Sequence, residues 1–130
     1  MPAKPYDYAS VRLVPCLDRG ECINVGVLLH SPAFRFLGIR LELDEDRTRA
    51  CFPALPLADV RKHLAAWQRI CAGDRTAGPI AEMGVGERFA WLTTPRNTML
   101  QTSPVHGGVT EDPAATLEAL FARLVRTPAI

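Results

Sequence analysis

The stretch from Pro95 to Gly108 collects the side chains best suited to chemistry. Arg96 and Asn97 sit in Pro-Arg-Asn-Thr, and Ser103 and His106 sit in Ser-Pro-Val-His-Gly-Gly. Both segments read as loops bracketing one short strand, and loops held by a rigid scaffold are where function concentrates. His106 could act as a general base or bind an anion. A hydrolase centred on His106 would also need a nucleophile and an acid to orient the base. Ser103 lacks the Gly-x-Ser-x-Gly setting of a nucleophile elbow, and no acid partner can be named. The plainer alternative is that His106 bonds backbone near the start of the last helix, with Gly107 and Gly108 supplying slack.

A second group depends on strand register. Pairing Val11 with Val27 and Leu13 with Val25, then Val27 with Ile39 and Val25 with Leu41, keeps one sheet face aliphatic. That register places Arg12, Gly26 and Arg40 in one row of the polar face, with Asn24 and Glu42 in the next. Two guanidinium forks across a glycine floor suit a phosphate or carboxylate. Against this, polar residues on the solvent face of an antiparallel sheet are ordinary, and the plainer alternative makes Gly26 the gap that admits a neighbouring side chain. At the first hairpin tip, Arg19-Gly20-Glu21 with Asn24 reads either as a recognition loop or as turn chemistry. In the latter, Gly20 takes a positive φ and Asn24 bonds loop backbone. Cys16 and Cys22 would face each other across this hairpin, although cytosolic thiols are normally reduced.

These groups need a frame, and alternation supplies one. Period-two patterns between Gly/Pro punctuation predict a three-stranded antiparallel meander over about 6–15, 22–30 and 34–43, with a further strand near 97–102. Apolar stripes predict helices over about 45–52, 57–72 and 113–126, covering one face of the sheet. Asp44 and Asp112 are placed to cap the first and last of these, and Thr127-Pro128 to end the last. Residues 87–92 lean to helix. Trp67, Trp91, Phe89 and Phe121 fall on helical stripes and read as core rather than ligand cage. The fold class is α+β, and 130 residues suit one domain spanning 1–130.

Composition narrows the function classes. Fifteen Lys+Arg against fourteen Asp+Glu give a net charge of +1, which disfavours a broad nucleic-acid or anionic-membrane surface. The absence of a signal-like apolar stretch near the start, and of any membrane-length apolar run, points to the cytoplasm. The four cysteines form no C-x-x-C pair and have no histidine at zinc spacing, so neither metal nor cofactor is expected. Asp44-Glu45-Asp46 suits a helix N-terminus better than a metal.

Tyr6-Asp7-Tyr8, Val11-Arg12 and the block from Arg19 to Val27 resemble the start of a bacterial family, domain of unknown function 3037. Arg88 to Leu92 with Pro95-Arg96, and then Ser103 to His106 with Asp112-Pro113, match further blocks in the same order. The resemblance carries no activity. It implies an accessory role, because members neighbour genes for HipA-like kinases. The reading is a non-enzymatic accessory or protein-interaction module, with such a kinase as partner and homo-oligomerisation left open. The first alternative is a small phosphate- or carboxylate-binding domain using Arg12, Arg40, Arg96 and His106. The second is the hydrolase centred on His106.

Overall fold

The computed structural model describes residues 2–126. Its first three strands are the expected meander: β1 (Lys4–Leu13), β2 (Ile23–Ser31) and β3 (Phe36–Leu41), all antiparallel. β4 (Leu100–Thr102) and β5 (His106–Thr110) both pair antiparallel with the far edge of β1, completing a five-stranded sheet. Four helices accompany it: α1 (Glu45–Cys51), α2 (Leu57–Ala72), α3 (Val85–Thr93) and α4 (Pro113–Leu124). The α+β class is therefore as the sequence predicts. The glycine-rich stretch before α3 folds into two short 3-10 turns, Arg75–Ala77 and Pro79–Glu82.

Helix starts follow their caps. The Asp44 carboxylate accepts from the Arg47 N–H, and the Asp112 carboxylate accepts from the Ala115 N–H, with Pro113 at the first helical position. The predicted stop at Thr127-Pro128 lies outside the described residues.

Two expectations are corrected. The register departs from the face-matched one by one residue up to a bulge and by two beyond it: Ser10 pairs with Val27 and Val11 with Gly26, then Arg12 with Asn24 and Leu13 with Ile23. On the other side Val27 pairs with Arg40 and Leu28 with Ile39. The second correction explains the first, because helices cover both faces of the sheet. Val11, Leu28 and Ile39 pack with Val60, Leu64, Trp67 and Phe89 of α2 and α3. Val27 and Leu29 pack instead with Leu117 and Phe121 of α4. Face matching assumes that a strand has one apolar side, but β2 is apolar on both. The bulge keeps Ile23 and Val25 with Val11 and Leu13 in one core, while Val27 serves the other.

β5 was not expected, since consecutive glycines are poor strand formers. Gly108 is used because the Tyr6 ring lies across it: a Cβ there would sit 2.6 Å from Tyr6 Oη. Between β4 and β5 the ladder is interrupted at Ser103-Pro104. Pro104 has no N–H to give, and the Ser103 hydroxyl takes the place of a backbone acceptor for the Ser10 N–H at 2.9 Å.

Candidate functional site

The row of Arg12, Gly26 and Arg40 does not exist. Arg40 lies on the α4 face, with its guanidinium 4.4 Å from the centre of the Phe121 ring and its Nε 3.2 Å from the Glu118 carboxylate. Gly26 leaves no open floor, because the Leu41 side chain fills it, and a Cβ would lie 2.7 Å from the Arg40 carbonyl oxygen. Asn24 does not bond its own loop. Its amide donates to the Leu124 carbonyl at 3.0 Å, tying β2 to the end of α4. Glu42 lies 3.9 Å from Arg126, and Arg12 is half-buried between Asn24 and Gln101.

The hairpin tip is exposed and carries its own ion pair, Arg19 with Glu21. Gly20 takes φ 69°, the left-handed turn geometry its residue type allows. Cys16 and Cys22 lie beyond the ends of β1 and β2, so they do not oppose each other in the ladder, and both are free thiols. The Cys16 thiol donates to Asp18 at 3.0 Å, which holds its pKa above the usual thiol value. Cys71, buried in the last turn of α2, is pushed up to about 12 by desolvation.

The stretch 95–106 behaves differently. Arg96, Asn97 and Ser103 come together around a cleft of about 710 Å³ between the end of α3 and the outer edge of β4. Gln101 and Thr102 both line it, although neighbours on a strand point to opposite faces, so the cleft runs along the strand edge. Thr93 and Pro95 form the far wall, and the Thr102 hydroxyl reaches the Thr93 carbonyl at 3.5 Å, joining the two walls.

Arg96 is the only charged residue lining this cleft among the described residues. Its guanidinium lies 4.4 Å from the Trp91 ring centre and 5.4 Å from that of Trp67. Nε donates to the Thr94 carbonyl at 3.2 Å and Nη2 donates to the Trp91 carbonyl, while no described residue accepts from Nη1. Partial burial pulls its pKa down from the ordinary arginine value, but a guanidinium remains charged at any physiological pH. A fixed, partly desolvated cation facing neutral walls is suited to a carboxylate.

His106 does not line the cleft. It stands exposed on β5, paired with Tyr8 and 5.6 Å from that ring centre to centre. Arg40 stacks under α4 and Arg96 stacks over residues of α2 and α3, on the other face, so Arg12, Arg40, Arg96 and His106 form no common anion site. Past the cleft, β5 pairs with no described strand other than β1, and the side chains of Val105 and Val109 are 45% and 70% exposed. Sequence reasoning missed Gln101, Thr102, Val109 and the tryptophan platform. The usable signal was Val105 and Val109, four residues apart around the Gly107-Gly108 pair.

Among the described residues no three of His, Cys, Asp or Glu gather as metal ligands. Nor is any described helix long and apolar enough to cross a membrane. The chain belongs to the family described as protein of unknown function (DUF3037), whose profile matches residues 8–125. No curated relative and no solved structure matches it.

Proposed function

We propose that this chain is a non-enzymatic protein-interaction module that receives an extended segment of a partner protein along the outer edge of β5. One observation carries the reading: β5 is an edge strand, with exposed Val105 and Val109 and with the cleft at its end. Every second residue of such a strand turns its N–H and C=O outward, and an added strand satisfies them. Alternate side chains of that strand then need pockets, which gives selectivity. Over a hydrolase, the reading is favoured by the state of the two candidate groups. The Ser103 hydroxyl is engaged with Ser10 and with the Pro104 carbonyl, and the His106 ring rests on Tyr8.

The partner implied by the family resemblance is a HipA-like kinase. Co-expression of the chain with the kinase of a neighbouring gene, followed by gel filtration, is expected to give co-elution. Val109→Lys, a charge of the kind that native edges use against pairing, is expected to abolish it. Co-elution indifferent to Val109→Lys would place the contact elsewhere, and separate elution would remove the kinase as partner.

A further inference from the structure

We infer that the cleft beside β4 captures the C-terminal carboxylate of the partner segment, which lies antiparallel to β5 and ends at Arg96. This rests on the edge-addition reading above and names the chemical feature that the partner must present. Three observations converge on it. Charge complementarity is the first: Arg96 is the one charged residue of the lining, and Asn97 and Gln101 add neutral amide groups beside it. The second is preorganisation. Two of the five guanidinium N–H groups are held by the carbonyls of Thr94 and Trp91 and its face by Trp91, leaving both Nη1 N–H groups and one on Nη2 to donate. A cation fixed before binding loses little freedom when it binds.

The third is the shape of the edge. β5 runs from His106 away from the cleft, and Val105 is shared between cleft and open edge. A segment laid on β5 therefore meets the cleft at one end, where the Thr102–Thr93 contact joins the walls. A chain that terminates there brings its carboxylate to Arg96 along the edge. An acidic side chain from the middle of an added strand would stand perpendicular to the sheet rather than along its edge. Terminal carboxylate capture combined with strand addition is thus the arrangement that satisfies both the cation and the edge.

The test uses the whole chain, immobilised, and two pools of randomised decapeptides that differ only in ending with a free carboxylate or an amide. Retained peptides are read by mass spectrometry. Retention of the free-acid pool with loss of the amidated pool is the expected result. Arg96→Gln should lower retention about tenfold or more, the usual loss for a hydrogen bond to a charged group. Arg96→Lys should restore part of it, and circular dichroism should show both variants folded. Should a variant fail to fold, the acid-against-amide contrast on the unmodified chain still decides. Equal retention of both pools, abolished by Val109→Lys, would overturn carboxylate capture and leave edge addition standing. Enrichment of internal Asp or Glu in both pools would overturn the terminal assignment. If neither pool is retained, the inference and the edge-addition reading fall together.

Discussion

Arg40 and Arg96 each lie over an aromatic ring, 4.4 Å from Phe121 in one case and 4.4 Å from Trp91 in the other. Arg40 sits under α4 with the Glu118 carboxylate beside it, so its charge is answered within the chain. Arg96 has backbone carbonyls on two donors, neutral walls, and an open cleft in front of it. The stacking is the same and the charge environment is not. A guanidinium on an aromatic face is therefore no guide to function by itself. What matters is whether the fold also delivers a counter-charge.

The contrast can be broken from the Arg40 side first. Phe121 is fully buried and anchors α4 on Val27 and Leu29. Phe121→Ala should destabilise by about 3–5 kcal/mol in urea unfolding, as large-to-small core changes do. Trp91→Ala removes a half-buried ring at the cleft and should cost clearly less. An equal loss would mean that the Arg96 platform is as structural as the Arg40 one.

Ser103 tests how rigidly the cleft is built. Ser103→Ala leaves the buried Ser10 N–H without its acceptor, a loss of about 1–3 kcal/mol. Hydrogen exchange at the Ser10 amide should accelerate with it. Unchanged exchange would show that the break between β4 and β5 does not depend on this hydroxyl.

A smaller effect is expected at the counter-charge itself. Glu118 is largely exposed, so Glu118→Ala should cost below about 1 kcal/mol and less still at high salt. It should not confer carboxylate binding on Arg40, because the Phe121 face and the Leu41 carbonyl still hold that guanidinium. Binding of the free-acid peptide pool that survives in Arg96→Gln and grows in Glu118→Ala would reverse the comparison.

His30, on β2, gives the mildest test. His30 is half-buried against Phe89, and desolvation holds its pKa below the ordinary imidazole value, with Asp7 opposing weakly. The unfolded chain then takes up the proton more readily than the folded one. Stability from His30 is present above about pH 6.5 and declines as the pH falls below it. His30→Asn should flatten this slope in denaturant melts across pH 5–7. A slope that persists would assign it to another group.

Much of the frame was legible in the chain. Alternation in Ile23 to Leu29 and Phe36 to Leu43 is a local property, and so are the Asp44 and Asp112 caps, which each need only their own first turn. The gathering of Arg96, Asn97 and Ser103 was legible too, since the three do meet at one cleft. His106 was misplaced because the strand that carries it depends on the Tyr6 ring packing across Gly108, a partner about a hundred positions away in sequence. The register was misjudged because alternation identifies which residues share a face but not which face a distant helix will cover.

The sequence by itself determined the opening meander, the capped starts of α1 and α4, and the family, because each rests on short-range pattern or residue identity. Only the tertiary structure decided that α4 crosses to the second face, burying Val27 and closing Arg40 against Phe121 and Glu118. It alone also brought Arg96 over Trp91 and Trp67 at the open edge. The physical reason is the same in both cases. Two arginines of one chain acquire different roles from the long-range packing that supplies or withholds a neighbouring charge, and no local pattern encodes that choice.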